Sequence, residues 1–307
     1  MPAIWIPKRL VDIGLINTAA ENPTSFVMHC EIEYESRVIA AAAESRGGGC
    51  KVIMLTGPSA SGKTTTAYKL RDALVRSGTH AVVVSLDNFY LDLENYPRLP
   101  NGMKDYENVH ALDVDEIHRC LLALIETGKA EFPMFDFRTE RRMAETQHIE
   151  LQGGVVIVEG IHALNPILTD VLPRGSVYKI YAGLREEYAY GGQRSLPTRD
   201  IRLARRMVRD NKFRGHSLEK TVNMWPMVCE GEDRYIKAFK PHADLLLDTA
   251  FSYEICVLAP FVTAMKGRIE DPALGAVLDD LADRFAVCAT IPEAYIPPQS
   301  MLREFIG

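Results

Sequence analysis

Eight consecutive residues, Gly57 to Thr64, have the types and the spacing of a phosphate-binding loop. They read GPSASGKT and match the P-loop pattern G-x-x-x-x-G-K-[ST]. Small residues let backbone N–H groups converge on an anion, and the helix that follows adds the positive end of its dipole. In this pattern Lys63 reaches the outer phosphates and the Thr64 hydroxyl binds Mg²⁺. The sequence therefore predicts a site for a nucleoside triphosphate and Mg²⁺.

Two carboxylates follow apolar runs that have the composition of buried parallel strands. Asp87 comes after the run 81–86, and Glu159 ends the run 155–159. Ligands of open parallel sheets lie at the carboxyl ends of the strands, so both side chains are expected beside the P-loop. Asp87 is interpreted either as a base that takes a proton from an attacking hydroxyl and touches the metal, or as a turn residue. Glu159 is expected to hold Mg²⁺, the alternative being a simple loop charge.

Four arginines recur at the spacing of one helix face. They stand at i, i+3, i+4 and i+7 and are Arg202, Arg205, Arg206 and Arg209. Like charges at this spacing repel each other, and a bound polyphosphate would remove that cost. The favoured interpretation is a lid, about residues 197–216, whose arginines close over the γ-phosphate and exclude water. The alternative is a solvated face that pairs with Asp200 and Asp210.

Two further segments, 103–113 and 132–142, mix aromatic and charged residues and are predicted to lie outside regular elements. Loops held by a rigid scaffold often carry binding residues. Phe135, Asp136 and Phe137 are interpreted as part core and part pocket. From composition alone, the structural role is the better supported one.

The elements that must position these residues alternate along the chain. Strands are predicted at 52–55, 81–86, 155–160, 177–183 and 243–249. Helices are predicted at 62–76 and 113–129, the second with Asp113 as its N-cap and Gly128 as its C-terminal stop. This alternation predicts a three-layer α/β fold with a mainly parallel sheet.

Both ends of the chain are predicted to be helical additions to a P-loop domain that covers residues 50–250. Residues 1–49 form an extension, with a helix over 31–46 that stops at the glycines 47–49. Residues 251–307 are also predicted to be helical. Their short amphipathic end is expected to pack on the core or on a partner.

Composition argues against several other classes. The 307-residue chain is 47% hydrophobic and 25% charged, and its net charge of −6 is unlike that of a general nucleic-acid binder. Its six cysteines are scattered, which does not suit a zinc site or a disulfide framework and fits a reducing cytoplasm. No apolar run reaches the roughly 20 residues of a membrane span. Pro7 and Asp12 interrupt the N-terminus and make it a poor signal peptide.

The order of six motifs resembles that of the uridine kinase/phosphoribulokinase family of P-loop kinases. The motifs are GPSASGKTTT, SLDNFY, DYENVHALD, PMFDFRTERR, VVIVEGIHALNP and RLARRMVRDNKFRGHS. The resemblance covers about residues 50–250 and points to the bacterial uridine (nucleoside) kinase branch, which the ending IPPQSMLREFIG also resembles. It implies a cytoplasmic, ATP- and Mg²⁺-dependent kinase whose small-molecule acceptor is a primary alcohol, favoured as the 5′-hydroxyl of a nucleoside. It leaves homo-oligomerisation open.

The motifs and the resemblance together assign a role to each matching residue. Catalysis is assigned to Asp87, Lys63 and Arg205. ATP binding is assigned to Gly57, Ser59, Ala60, Ser61, Gly62, Lys63, Thr64, Thr65, Arg202, Arg206 and Arg209. Acceptor binding is assigned to Asp87, Tyr90, Tyr106, Glu107, Phe135, Glu140 and Arg202. Metal binding is assigned to Thr64, Asp87 and Glu159. Within the acceptor set, Glu107 stands where uridine–cytidine kinases have an Asp that binds the ribose hydroxyls.

Three positions depart from uridine–cytidine kinases. A Tyr and a His contact the pyrimidine there, and Phe135 and Glu140 stand in their places here; Lys220 replaces a Gln near the lid. Phe135 can still stack on a base, whereas Glu140 replaces a potential donor by an acceptor. The acceptor therefore stays open between a pyrimidine nucleoside, a purine nucleoside, and a sugar or other small alcohol. A nucleotide-binding regulatory protein with little turnover is the alternative from another class.

Overall fold

The computed structural model describes residues 7–47, 49–99, 102–136 and 139–307. The expectations for the first six residues, Gly48 and Phe137 lie outside this part of the chain. Its strands are β1 (Arg9–Asp12), β2 (Val52–Thr56), β3 (Ala81–Ser85), β4 (Lys129–Asp136), β5 (Arg141–Glu150), β6 (Val155–Glu159), β7 (Val177–Gly183), β8 (Glu186–Tyr190), β9 (Gln193–Leu196) and β10 (Leu245–Asp248). Its helices are α1 (Ile13–Ala20), α2 (Pro23–Ser45), α3 (Lys63–Arg76), α4 (Val114–Thr127), α5 (Pro166–Thr169), α6 (Thr198–Phe213), α7 (Leu218–Gly231), α8 (Glu254–Thr263), α9 (Pro272–Phe285) and α10 (Arg303–Ile306).

The centre of the fold is a parallel five-stranded sheet in the order β10–β7–β2–β6–β3. Successive side chains of a strand face opposite sides of a sheet. In β2, Ile53 and Leu55 belong to one hydrophobic core, and Val52 and Met54 belong to a second. The first core joins the sheet to α1–α3 and α6–α9, and the second joins it to α4, α5, β4 and β5. The predicted three-layer α/β fold is confirmed.

The predicted caps of α4 are also observed. The Asp113 carboxylate accepts a hydrogen bond of 3.1 Å from the backbone N–H of Glu116. Gly128 ends the helix with a φ of +79°, in the left-handed region that glycine adopts without strain. The sequence signals for the start and the stop of this helix therefore correspond to its actual ends.

The prediction that segment 132–142 lies outside regular elements is wrong. β4 and β5 pair there as an antiparallel hairpin, with a bulge between Pro133 and Phe135. Most of β5 is exposed, so it lacks the apolar alternation from which strands are predicted. The small sheet β1–β8–β9 is also not predicted from the sequence. Its strands β1 and β9 have only four residues each, which is too short for a clear strand period.

The N-terminal helices pack against the start of α3 and the end of β10. The buried Tyr34 hydroxyl of α2 lies 2.7 Å from the Thr66 hydroxyl of α3. Arg37 donates hydrogen bonds of 3.2 and 3.0 Å to the carbonyls of Asp248 and Ala250, where β10 ends. Residues ahead of β2 thus support both the helix that follows the P-loop and the end of an outer strand.

The C-terminal segment returns to the core. Phe305 and Ile306 of α10 are buried, and α10 packs beside α6. Of the two expected positions for this end, the structure has the one on the core. Among the described helices, none combines the length and the apolar composition that a membrane crossing requires.

Candidate active site

Residues 57–62 of the P-loop connect the buried strand β2 to the first turn of α3, which carries Lys63 and Thr64. Gly57 has no room for a side chain, because an added Cβ would lie 2.3 Å from the carbonyl oxygen of Ala182. Gly62 begins α3 with a φ of +81°, and Ala60 also has a positive φ of 59°. The loop therefore curls around the N-terminus of α3 in the manner of a phosphate-binding site.

Asp87 and Glu159 lie at the carboxyl edge of the sheet, next to this loop. β6 separates β2 from β3, and its register pairs Glu159 with Leu55 on one side and with Ser85 on the other. The Ser85 hydroxyl donates a hydrogen bond of 2.9 Å to the Glu159 carboxylate and accepts one of 3.3 Å from the Asp87 N–H. The structure thus brings both carboxylates to one edge, with Glu159 on the strand that adjoins β2.

The charges at this edge influence one another. Burial raises the pKa of Asp87, while the positive charges of Lys63 and Arg214 act in the opposite direction. Burial also raises the pKa of Glu159; Lys63 opposes that rise and Asp87 adds to it. Lys63 is therefore close enough to both carboxylates to stabilise their ionised forms.

The arginine face of α6 packs against the P-loop from outside. Arg202 and Arg206 donate hydrogen bonds of 2.9 Å to the carbonyl and hydroxyl oxygens of Ser59, respectively. Arg205 donates one of 3.3 Å to the carbonyl of Ala60. These three arginines therefore contact the protein groups that shape the loop.

Buried carboxylates compensate the charge of this face. Glu232 lies 2.6 Å from Arg202, Glu254 lies 2.6 Å from Arg205, and all four side chains are at most 2% exposed. Asp210 pairs with Arg206 and Arg209, at 3.3 and 2.8 Å. Asp200 instead pairs with Arg284 of α9. The face is thus neither solvated nor an unpaired row of positive charge.

Four aromatic side chains, Tyr90, Tyr96, Tyr106 and Phe135, contact one another in a row, which we call the aromatic wall. Tyr90 lies 5.8 Å from Tyr96 and 6.0 Å from Phe135, and Tyr96 lies 5.6 Å from Tyr106, measured between ring centroids. Burial and the Asp87 charge raise the pKa of Tyr90. This aromatic wall therefore begins close to the Asp87 carboxylate.

Glu107 lies at a small cavity of about 100 Å³ between its own loop and α7. It packs so closely on Gly231, the last residue of α7, that a Cβ there would lie 2.7 Å from the Glu107 Cγ. Burial raises the pKa of Glu107, and the charges of Arg206 and Lys63 oppose the rise. The cavity is thus electrostatically linked to the P-loop lysine.

Sequence reasoning missed the residues that α7 and the following π-helix (Glu232–Ile236) contribute to this cavity. They are Met224, Met227, Val228, Glu230, Gly231, Arg234 and Tyr235. Their spacing resembles that of any core-facing helix. The one available signal was Gly231, because a glycine inside a helical pattern costs about 1 kcal/mol relative to alanine and often has a packing reason.

Glu140 and Lys220 lie away from this cavity. Glu140 is exposed in the hairpin turn, with a φ of 55°, and lines an outer groove with residues 92–94. Its charge still acts on the aromatic wall: burial, the neighbouring Tyr106, Asp87 and Glu140 together raise the pKa of Tyr96 to about 12. Lys220 is exposed in the first turn of α7. The structure therefore does not bring Glu140 together with Glu107.

A larger, more open cavity of about 530 Å³ adjoins the start of α3. It is lined by Thr64, Thr65, Arg209, Phe213, Arg214, Arg303, Glu304 and Gly307. The Thr65 hydroxyl donates a hydrogen bond of 2.6 Å to the Glu304 carboxylate. Sequence reasoning also missed this part of the tail, since nothing local to residues 303–307 indicates that they return to the P-loop.

The side-chain oxygens at the carboxyl edge of the sheet are of the chemical type that Mg²⁺ prefers as ligands. Thr64, Asp87 and Glu159 offer a hydroxyl and two carboxylates, and Mg²⁺ prefers oxygen ligands. The described residues contain no cluster of three or more His, Cys, Asp or Glu side chains with metal-binding geometry. In kinases, however, Mg²⁺ is usually bound by one or two carboxylates together with substrate phosphates and water.

The parallel sheet, the P-loop ahead of α3 and the acidic carboxyl edge define the site of a P-loop kinase. A model of the phosphoribulokinase/uridine kinase family matches residues 52–168 and 196–254, which is more than half of the chain. The chain belongs to this family. It is therefore a kinase, with ATP as phosphate donor and a small molecule as acceptor.

Individual relatives share modest sequence identity with this chain. The uridine kinase of Saccharomyces cerevisiae is 28% identical over 223 residues, a match that spans 71% of this chain but only 40% of the yeast protein. The uridine kinase of Lactobacillus johnsonii is 26% identical over 208 residues, 67% of this chain and 90% of that protein. A solved structure, described as a possible uridine kinase from Bacillus stearothermophilus, has a TM-score of 0.48 at 18% identity and covers 70% of this chain and 100% of that chain.

Proposed function

We propose that the chain transfers the γ-phosphate of ATP to a primary hydroxyl of a nucleoside, namely the 5′-hydroxyl. The proposal rests on the position of Asp87, a carboxylate whose pKa is raised by burial. The charge of the P-loop Lys63 lowers the pKa of Asp87, and the charge of Asp87 raises the pKa of Tyr90 in the aromatic wall. A group between a phosphate site and an aromatic surface is well positioned to serve both substrates. The uridine kinases among the relatives support the same acceptor class.

In the proposed reaction Asp87 takes the proton of the acceptor hydroxyl. The hydroxyl oxygen forms a bond to the γ-phosphorus, and the bond from that phosphorus to the β–γ bridging oxygen breaks. ADP leaves with the electron pair, and the proton passes from Asp87 to solvent. Catalysis of this kind depends mainly on positioning and on electrostatic stabilisation of the phosphoryl group.

The remaining residues position the two substrates. Lys63 and the P-loop N–H groups hold the phosphates. Arg202, Arg205 and Arg206 act chiefly by bracing loop residues 59 and 60, as their hydrogen bonds indicate. When bound to the oxygen donors of Thr64, Asp87 and Glu159, Mg²⁺ supplies further neutralisation of phosphate charge.

On the acceptor side, the aromatic wall offers faces on which a base can stack, and Glu107 offers a carboxylate for ribose hydroxyls. Phe135 lies in the wall, while Glu140 lies in the exposed hairpin turn. We infer that Glu107 binds the ribose specifically, whereas Glu140 selects only weakly between bases. Pyrimidine and purine nucleosides are then both candidate acceptors.

An acceptor panel tests the proposal. Purified protein, ATP and Mg²⁺ are mixed with single nucleosides, sugars or small polyols, and acceptor-dependent ADP release is measured. We expect turnover with at least one nucleoside and a 5′-monophosphate product by mass spectrometry. Turnover with sugars or polyols alone would contradict the nucleoside acceptor, and no turnover with any acceptor would favour a regulatory nucleotide-binding protein.

A further inference from the structure

The C-terminal segment 297–307 forms one wall of the larger cavity. The family model ends at residue 254, so this segment lies outside the region that defines the family. It is nevertheless firmly attached to the nucleotide-binding end. Its Met301 side chain fills the space at Gly62, where an added Cβ would lie 2.3 Å from the sulfur, and the Arg205 guanidinium lies 5.0 Å from the centre of the Phe305 ring.

The position of this cavity fits the nucleoside part of the donor. In a P-loop the backbone N–H groups of the Gly-rich loop, which runs into the helix, cradle the α- and β-phosphates. The cavity borders Thr64 and Thr65 at that point. Because the ribose is joined to the α-phosphate through its 5′-oxygen, we expect the ribose of a donor on the P-loop to lie in the space beside Thr65.

Glu304 is the acidic residue of this cavity. Its Oε2 accepts the 2.6 Å hydrogen bond from the Thr65 hydroxyl. Within the described part of the chain, no hydrogen bond reaches its other oxygen, Oε1. A carboxylate repels a polyphosphate, but it is a strong acceptor for hydroxyl donors. Carboxylates bind ribose hydroxyls in this way in other nucleotide-binding folds.

The cavity contains both kinds of charge that such a ligand needs. Arg209 and Arg214 line it together with Glu304 and supply the positive charge for phosphate. The Arg303 guanidinium donates to the carbonyls of Glu293 and Ile296, at 2.9 and 2.5 Å, and so fixes the turn that carries Glu304. The acid is thus held in place by its own segment.

We propose that the C-terminal segment completes the donor site and that Glu304 binds the ribose hydroxyls of ATP. The proposal rests on the proposed function only for its phosphate donor. It makes Glu304 a residue that selects ribonucleotides over 2′-deoxyribonucleotides. A site built to bind a hydroxyl discriminates against the analogue that lacks it. Glu304 is half-buried, and the deoxy form would lose the hydrogen bond to its carboxylate.

Calorimetric titration with Mg²⁺–ATP and Mg²⁺–2′-deoxy-ATP tests this role. We expect the wild-type chain to bind ATP about tenfold more tightly than the deoxy form, as for one lost hydrogen bond to a charged group. Glu304→Ala should bring the ratio of the two dissociation constants to about one by weakening ATP alone. Glu293→Ala is the control: Glu293 also belongs to the C-terminal region and pairs with Lys212 at 3.6 Å, and it should keep the wild-type ratio.

Glu304→Gln provides a second test if the alanine variant fails to fold. Its amide group keeps the size of the side chain and an oxygen that accepts the hydrogen bond from Thr65. It should also lower the ratio. An unchanged ratio in the folded Glu304 variants would overturn the proposal, and so would tighter binding of both nucleotides, which would make Glu304 a competitor of the donor. The titration contains no acceptor, so failure of the nucleoside proposal leaves its result unaffected.

Discussion

Buried ion pairs hold the proposed donor side of the site, which comprises the P-loop and the arginine face of α6. Ring contacts and close packing hold the proposed acceptor side, which comprises the aromatic wall and Glu107. On the donor side, Arg202 and Arg205 are buried, each paired with a carboxylate at 2.6 Å, and both donate to the P-loop backbone. On the acceptor side, half-exposed Tyr106 belongs to the aromatic wall, and Glu107 rests on Gly231.

This difference suits the two substrates. A triphosphate presents the same oxygens to every P-loop, so a fixed loop with preorganised charge serves it best. An acceptor differs from one kinase to another, and the acceptor pocket proposed for this chain is assembled from connecting segments, the hairpin β4–β5 and the end of α7. We therefore expect substitutions on the donor side to reduce stability and those on the acceptor side to change substrate affinity.

The largest effect on stability is expected for Arg205→Met. Removing one partner of a buried ion pair leaves an unpaired charge, here that of Glu254, and typically costs about 3–5 kcal/mol. The free energy of unfolding in urea should fall by that amount. Arg76→Met is the matched control, because the Arg76–Glu35 pair has the same 2.6 Å distance but a surface position; surface pairs contribute about 0–1 kcal/mol. Equal losses in both variants would contradict the difference between the two sides.

A smaller and more selective effect is expected for Gly231→Ala. The new Cβ would displace Glu107, which it would approach to 2.7 Å. The KM for the acceptor should rise about tenfold, in keeping with the usual cost of overpacking of roughly 1–3 kcal/mol, while the Kd for ATP stays unchanged. Gly47→Ala is the control, since its Cβ would come no closer than 3.5 Å to the carbonyl oxygen of Glu44. An equal rise in the Kd for ATP would remove Glu107 from the acceptor side.

The smallest effect is a shift of the pH–rate profile in Arg214→Gln. As the proposed base, Asp87 can act only when ionised, so we expect activity to be present above its pKa and to be lost as the pH falls through it. Burial raises that pKa and the Arg214 charge lowers it. Removing the charge should therefore move the acid limb of kcat to higher pH at saturating ATP. Arg268→Gln, at an exposed position of the C-terminal part, should leave the limb in place. A shift to lower pH would contradict the coupling between Arg214 and Asp87.

The donor side could largely be predicted from the sequence because its signals are local. The P-loop is a contiguous motif, and Glu159 and Asp87 follow directly from the strands that carry them. The spacing of the arginines predicts one face of α6, but not what that face contacts. Their partners Glu232 and Glu254 lie 30 and 49 residues further along the chain, and only the fold brings them to Arg202 and Arg205.

The acceptor side and the C-terminal segment could not be predicted in the same way. Most of β5 is exposed, and among the described strands it pairs with β4 alone, so its burial pattern gives no strand period. The contact of Glu304 with Thr65 spans 239 residues. Such contacts depend on tertiary packing, and a single sequence carries no local trace of them.

The most direct test of the proposed phosphoryl transfer is to measure kcat and the Kd for ATP in Asp87→Asn. The amide preserves the shape of the side chain but cannot take a proton from the acceptor. We expect kcat to fall by about 10²- to 10⁴-fold, the usual contribution of a general base, with the Kd for ATP unchanged. A kcat within a few-fold of that of the wild-type protein would contradict the central role of Asp87.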